Sequence, residues 1–583
     1  ARMRLLRGAR YGLCGANGVG KSTLLRAIAD GKVDGFPPRS AVRTAFVESN
    51  IDAAGDTSVS DYMFAHPELA ALGNEPGGSR PDRATVDRVL GEVGFDAAGR
   101  ASPISTLSGG WKMKLAVARA MLLDADIMLL DEPTNHLDVA NVGWLQDYLT
   151  ASTRATSLIV SHDSGFLDTV CTHILHYHAH RLTVHRGNLS AFVDAYPPAR
   201  SYYDLAAAAD TMVFPLPGIL VGVTSRERAI LKMRGVAFQY PTAPKPQLTD
   251  VNVTVALSSR IAVTGPNGAG KTTLIRMLTG ESAPSEGTVW KHPNLRVAYV
   301  AQHAFHHVER HLDDTPLAYL QWRYGSGEDK EALEKATRVV SAEEAAAMAK
   351  AIMCPDGVPR VVEALVGRRK LKSSFEYEVK WKDTHAKKNL WLARDVLEAA
   401  GFGKAIGDVD TEEATRAALM GPGAKEFTAS SIIKHLGDFG LDAEFAAHSA
   451  IRGLSGGQKV KVVLAAAVWN CPHVIVLDEP TNFLDRDALG ALARGLRAFL
   501  GGVVIISHNA EFTGEVCDET WAVGGGSVTV TRPERLTSAA ADAEAKTVSV
   551  FLKRSASSGN NLASAGGSGT TSVAGEPAGP LEG

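Results

Sequence analysis

Short apolar runs that pass through a glycine-rich loop into helical periodicity set the pattern of this chain. YGLC at 11–14 leads to TLLRAIA, and IAVT at 261–264 leads to TLIRMLT. Further strand-length apolar runs stand at 127–130 (IMLL), 157–160 (SLIV), 474–477 (VIVL) and 503–506 (VVII). Such runs, alternating with amphipathic segments, predict an α/β fold with buried parallel strands. None of them exceeds strand length, so the pattern predicts no membrane-spanning helix.

An internal repeat organises the chain. GANGVGKST at 15–23 returns as GPNGAGKTT at 265–273, LSGGWK at 107–112 as LSGGQK at 454–459, and LLDEPTNHLD at 129–138 as VLDEPTNFLD at 476–485. Two copies of one domain are implied. The offset between copies grows from 250 residues at the glycine-rich loop to 347 at LSGG, so the second copy carries 97 additional residues between those motifs. An inserted module is expected there. The aromatic Tyr240 precedes the second loop by 25 residues, and its counterpart in the first copy would fall before Ala1, so the first copy is expected to be truncated at its start.

Length and charge refine this picture. At about 150 residues per domain, 583 residues allow three or four units. With 61 Lys+Arg against 64 Asp+Glu the formal charge is -3, so any attraction to nucleic acid must come from a local patch. The five cysteines lie far apart with no C-x-x-C, which argues against a disulfide framework or a zinc knuckle and fits a reducing compartment. Beyond about residue 536 Ala, Gly, Ser and Thr dominate, and 536–583 is expected to be a disordered tail.

The repeated motifs carry specific chemistry. In G-x-x-x-x-G-K-[ST], Gly15, Asn17, Gly18 and Gly20, and again Gly265, Asn267, Gly268 and Gly270, shape a loop whose backbone N–H groups converge on phosphate at a helix N-terminus. Lys21 and Lys271 neutralise β/γ-phosphates, the hydroxyls of Ser22 and Thr272 serve Mg²⁺, and Thr23 and Thr273 complete the loops. Asp131 and Asp478 end apolar strands and are expected at the metal. Glu132 and Glu479, next in sequence, would polarise the attacking water. His162 and His508 occupy matching strand ends, where a neutral imidazole would bond the γ-phosphate. Tyr240 is expected to be an aromatic platform for adenine. The His-rich run His173, His176, His178, His180 and His185 has no carboxylate or Cys partner in its segment, and it reads as a polar strand face, not a metal site. His307 and His311, at i and i+4, are similarly assigned to a domain surface.

With LSGG added, the set resembles the ATP-binding cassette family. That resemblance implies two cassettes packed head to tail in a monomer, binding ATP with Mg²⁺. It also implies that Ser108, Gly109 and Gly110 close over nucleotide on the second loop, and Ser455, Gly456 and Gly457 over nucleotide on the first. Gln302 in YVAQH resembles the family's metal- and water-sensing Gln, whereas Glu48 stands at the matching place in the first copy, a departure from equivalence.

Within the extra residues, GRRKLKSSFEYEVKWK at 367–382 followed by NLWLARDV at 389–396 resembles a chromodomain. A chromodomain-like β insert in the second of two soluble cassettes resembles the family of fungal-type translation elongation factor 3. The expected organisation is a first cassette over 1–196, a linker over 197–229, the second cassette over 230–305 and 446–535, and an insert over 306–445 with the chromodomain-like module at about 360–404. The resemblance implies a cytoplasmic ATPase on the ribosome that couples nucleotide-driven closure to release of deacylated tRNA from the exit site. Ribosomal RNA and proteins, exit-site tRNA and an elongation factor carrying aminoacyl-tRNA would be its partners. The helical repeats that precede the cassettes in that family are missing here. So is a Lys-rich C-terminal extension, since 536–583 holds three basic and four acidic residues.

Residues 360–404 hold eleven Lys/Arg and six Asp/Glu, a local excess that suits a phosphate surface. Arg368, Arg369, Lys370, Lys372, Lys387 and Lys388 are the expected ribosome contacts. A methyl-lysine cage is not expected: the chromodomain pattern places Trp381 at one cage position but Arg360 and Thr384 at the other two, with Tyr377 and Trp391 as packing residues. The alternative functional classes are a tandem ATPase subunit energising a separate membrane transporter, which predicts no insert, and a non-hydrolysing scaffold, which the intact Lys21, Lys271, Glu132 and Glu479 oppose.

Overall fold

The computed structural model describes residues 4–532 except 16–18, 39–40, 48–55, 75–78, 108, 136, 179–180, 203–204, 206–210, 242, 244, 302–306, 337–347, 355–356, 372–373, 383, 386–387, 421–424 and 482–483. Asn17, Gly18, Glu48, Ser108, His180, Gln302, Lys372, Lys387 and the tail at 536–583 lie outside the described residues.

Two six-stranded sheets share one topology. The first contains β1 (Arg10–Gly15), β2 (Thr44–Val47), β3 (Ile127–Asp131), β4 (Thr156–Val160), β5 (His173–His178) and β6 (Arg181–Arg186) in the order β2-β3-β4-β1-β5-β6. All neighbours pair in parallel except β5 and β6. After β7 (Ala229–Phe238) and β8 (Leu248–Ala256) the pattern returns. It uses β9 (Arg260–Thr264), β10 (Glu286–Lys291), β11 (Val297–Val300), then, beyond the insert strands β12 (Ala351–Met353), β13 (Pro359–Leu371), β14 (Ser374–Trp381) and β15 (Leu390–Ala393), β16 (Val474–Asp478), β17 (Gly502–Ile506), β18 (Glu519–Gly524) and β19 (Ser527–Thr531). The second large sheet runs β11-β16-β17-β9-β18-β19, with the antiparallel trio β10-β7-β8 beside it. β4, β16 and β17 are buried at every position, the consequence of helices covering both faces of a parallel sheet.

The insert strands form their own antiparallel sheet, β12-β13-β14-β15. Val362, Tyr377, Val379, Trp381, Leu392 and Leu397 make a small core with Phe402 and Ile406 of the following helical segment. Trp381 is 1 % exposed, so it packs inside the module and offers no face to a ligand at the cage position. The module is tied down by a buried carboxylate. Asp410 accepts from Arg368 Nη1 at 2.7 Å, Arg394 Nη1 at 2.8 Å and the Tyr377 hydroxyl at 2.7 Å. Arg368 also donates to the Pro293 carbonyl and to Asn294 Oδ1, both at 2.9 Å, just before β11. The expectation that Arg368 meets ribosomal phosphate is therefore corrected: its guanidinium is consumed in fastening the insert to the second cassette. Among the described residues no helix is long and apolar enough to cross a membrane.

Candidate functional site: two nucleotide sites built across the cassettes

Each glycine-rich loop joins a buried strand to a helix. Gly20 and Gly270 cap helices Lys21–Ala29 and Lys271–Thr279 in the left-handed region, at φ 99° and 104°, where a side chain would be strained. The helix N-termini face the ends of β3 and β16. There Ser22 Oγ donates to Asp131 Oδ1 at 2.9 Å and Thr272 Oγ1 to Asp478 Oδ2 at 3.1 Å. Lys21 Nζ rests on the Gly15 carbonyl at 2.8 Å, and Lys271 Nζ on those of Gly265 and Pro266 at 2.8 and 3.0 Å. Burial lowers both lysine pKa values, and the neighbouring Glu132 or Glu479 opposes that shift. Both ammonium groups thus rest against neutral carbonyls within their own glycine-rich loops.

Glu132 and Glu479 adopt left-handed backbone, φ 48° and 51°. Strain of this kind at a non-glycine persists only where surroundings enforce it. Here the peptide N–H of each glutamate donates to the neighbouring strand, to Val160 O and Ile506 O, both at 2.8 Å. The turn aims each carboxylate at the following switch histidine: Glu132 Oε1 lies 3.4 Å from His162 Nε2, and Glu479 Oε1 lies 3.5 Å from His508 Nε2. The Glu132 side chain keeps 22 % of its surface, yet its Oε1, like that of Glu479, is shielded and accepts no hydrogen bond. Burial raises both carboxyl groups to about 8 and lowers both imidazoles to about 4. Burial likewise lifts Asp478 to about 6.

These shifts predict a pH signature for the metal- and nucleotide-free protein. Glutamates protonated to about pH 8 in the folded state, against 4.5 otherwise, bind protons that the unfolded chain has lost, so stability falls as pH rises across that interval. The histidines act oppositely between about 4 and 6.5, where the unfolded chain binds the extra proton. The two effects oppose each other below pH 6.5, and a decline in thermal stability is left between 6.5 and 8. Thermal unfolding in EDTA should show that decline, and Glu132→Gln/Glu479→Gln should flatten it; a decline that survives in the double variant contradicts the assignment.

The oxygen-only pair of hydroxyl and carboxylate at each site is a donor set of the kind that suits Mg²⁺. Among the described residues no cluster of three or more His, Cys, Asp or Glu is placed to hold a metal on its own. His307 instead pairs with Glu331 and His311 with Asp314, while His176 packs among Phe192, Tyr196 and Tyr202. Tyr240 sits edge-on to Phe238, with its hydroxyl 2.9 Å from Thr273 Oγ1.

The signature glycines open helices. Gly109 and Gly110 begin helix Gly109–Leu122, and a Cβ on Gly110 would meet Asn141 Nδ2 at 2.8 Å. Ser455 caps the helix of Gly456 and Gly457 in a reciprocal bond with Gln458. The matching residue in the first copy is Trp111, which has no group to return that bond.

Contacts between the cassettes use residues that sequence reasoning passed over. Asp138, the last residue of the repeated DEPTN-x-LD motif, accepts from the backbone N–H of Asn267 in the other cassette's glycine-rich loop at 3.2 Å. Its equivalent Asp485 acts electrostatically on Lys21 and His162 of the first site. The repetition of that final Asp was the available signal.

This is the arrangement of an ATP-binding cassette pair, and the family description "ABC transporter" matches residues 1–135 and 248–482. The chain belongs to the ABC transporter family. Within it, Elongation factor 3 of Phytophthora infestans is 53 % identical over 531 residues, covering 91 % of this chain and 50 % of that protein. The mRNA export factor elf1 of Schizosaccharomyces pombe is 52 % identical over 532 residues, covering 90 % and 49 %. The chain spans about half the length of the curated relatives it matches. A solved structure titled RNase-L Inhibitor shares the fold, with a TM-score of 0.52 at 17 % identity over 91 % of this chain and 87 % of that one.

Proposed function

We propose that this chain is the tandem-cassette part of a ribosome-associated ATPase that acts in translation elongation. In this reading it couples ATP binding and hydrolysis at two composite sites to release of deacylated tRNA from the exit site, in the cytoplasm. The observation that carries the hydrolytic half is the duplicated cluster of lysine, hydroxyl, aspartate, strained glutamate and neutral histidine. In each copy Glu132 or Glu479 presents an unbonded carboxylate oxygen with a proton affinity near working pH, as a general base requires. That oxygen takes the proton of the attacking water. The switch histidine, held neutral by burial, donates toward the γ-phosphate, and Lys21 or Lys271 leaves its carbonyl partners for the phosphate oxygens. Mg²⁺, held through Ser22 and Asp131 or Thr272 and Asp478, would supply further neutralisation of phosphate charge.

The ribosomal half is supported by the likeness to a protein named Elongation factor 3 along 91 % of the chain. The relative named mRNA export factor elf1 favours a second reading, an ATPase acting on messenger ribonucleoprotein. The insert separates them. Arg369 stacks over Trp391 at 4.4 Å while pairing with Glu376, and Lys370 and Lys388 are exposed. Reversing Arg369, Lys370 and Lys388 to Glu should lower co-sedimentation with purified ribosomes at least tenfold at low salt, with wild-type binding itself falling steeply with salt, while ATP turnover without ribosomes stays near normal. Equal retention of ribosome binding in the variant, or turnover stimulated by mRNA and not by ribosomes, would favour the second reading.

A further inference from the structure

Helix Arg486–Ala498 begins at the interface with a residue that ought not to be there. Arg486 is a cation in the first turn of a helix, where the dipole disfavours it, and it is 6 % exposed. Its compensation comes from Glu511 in the first turn of helix Ala510–Val516, whose Oε1 accepts from Nη2 at 2.6 Å and Oε2 from Nη1 at 3.0 Å. Both members belong to the second cassette, and both reach into the first. Arg486 Nη1 donates to the His162 carbonyl at 3.3 Å, and Ser164 Oγ donates to Glu511 Oε2 at 2.7 Å. The linker adds Leu205 N–H to Glu511 Oε1 at 3.3 Å.

The switch residue of the first site is thereby gripped at both ends. Its N–H donates to Glu132 Oε2 at 3.2 Å, and its carbonyl accepts from Arg486 of the other cassette. The backbone of the single residue His162 separates the water-activating carboxylate from a charge in trans. The residues of the second site that align with these cannot make the same contact. Aligned on the repeated motifs, Arg486 corresponds to Val139, which is 72 % exposed, Glu511 to Gly165, and Ser164 to Ala510.

We propose that Arg486, held by Glu511, is a positioning residue that sets the switch peptide of the first ATP site from across the interface, and that the second site turns over without any such support. The proposal rests on the reading of Glu132 and Glu479 as the groups that activate water. First-site hydrolysis would then depend on a contact from the second cassette beyond the signature serine and glycines that each site takes from its neighbour, whereas second-site hydrolysis would lack that further dependence.

The test separates the sites. With Glu479→Gln silencing the second site, Arg486→Ala should lower kcat about tenfold or more with the Kd for a fluorescent ATP analogue unchanged, because orientation and not binding is lost. Arg486→Lys, which keeps the charge and a donor, should recover part of that loss. With Glu132→Gln silencing the first site, Arg486→Ala should leave kcat within about twofold. An equal fall in both backgrounds, a fall confined to the second site, or no fall at the first overturns the proposal. Should Arg486→Ala prevent folding, Glu511→Gln removes the carboxylate charge that holds Arg486; it should slow the first site alone, and an unaffected first site overturns the proposal equally. Amide hydrogen exchange over 161–170, read on these variants without hydrolysis, should quicken. Unchanged exchange overturns the proposal, whereas quickened exchange with no turnover in any background overturns the water-activation reading and leaves the trans contact standing.

Discussion

Glu132→Gln/Glu479→Gln is expected to abolish multiple-turnover ATP hydrolysis while nucleotide still binds. Glutamine preserves the shape of each side chain but cannot take a proton, and loss of a positioned general base costs about 10²–10⁴-fold in rate. The parts proposed to bind phosphate are separate residues, Lys21 with Ser22 and Lys271 with Thr272, so affinity should survive and ATP should accumulate in closed cassettes. Each single variant should retain turnover at its intact partner site. Phosphate release together with filter retention of labelled ATP measures both halves. Turnover in the double variant within about tenfold of the parent would refute the role given to these glutamates.

The largest effect on stability is expected at Arg323, in helix Pro316–Tyr324 of the stretch assigned to the insert, which packs into the core of the second cassette. Its guanidinium is bidentate to Asp329, with Nε–Oδ1 and Nη2–Oδ2 both at 2.9 Å, and pairs with Glu331 at 2.5 Å. Glu331 also meets His307 and accepts from the Tyr319 hydroxyl, while Tyr324 donates to the Ala466 carbonyl in the signature helix Gly456–Val468. Arg323→Met would leave two buried carboxylates without their cation, a defect worth about 3–5 kcal/mol. Adding Asp329→Leu and Glu331→Leu should restore a large part of the loss, since replacing a whole buried ion cluster by apolar side chains is often neutral. Denaturant unfolding followed by a second-cassette tryptophan such as Trp469 reads this transition. A cost below about 1 kcal/mol for Arg323→Met would contradict the account.

The parallel sheets and the two glycine-rich loops were legible because they follow from local pattern: an apolar run ending in a glycine turn and a helix can be laid out in few ways. Ser22 and Asp131 illustrate a harder case. They are 109 residues apart in the chain, and only the assumption that both lie at the same end of one sheet brings them together. The left-handed backbone of Glu132 and Glu479 could not be read, since nothing in the residue type asks for it. Asp138 and Arg486 were passed over for a different reason: their partners belong to the other cassette, and periodicity within one segment carries no information about an interface. Arg368 shows the limit of charge counting. Its sign was correctly read, but its acidic partner Asp410 lies 42 residues away, and a basic residue with a buried counterion cannot serve a phosphate surface. The burial of Trp381 was likewise not legible, because a pattern position does not reveal which side of a small sheet is covered.

The most direct test is the rate of ATP hydrolysis by this chain with and without purified ribosomes, with mRNA alone as the comparison. Two composite sites serving a ribosomal cycle predict a turnover that rises several-fold with ribosomes, does not rise with mRNA, and vanishes in Glu132→Gln/Glu479→Gln. Turnover indifferent to ribosomes, or a ribosome-stimulated rate that persists in the double variant, would contradict it.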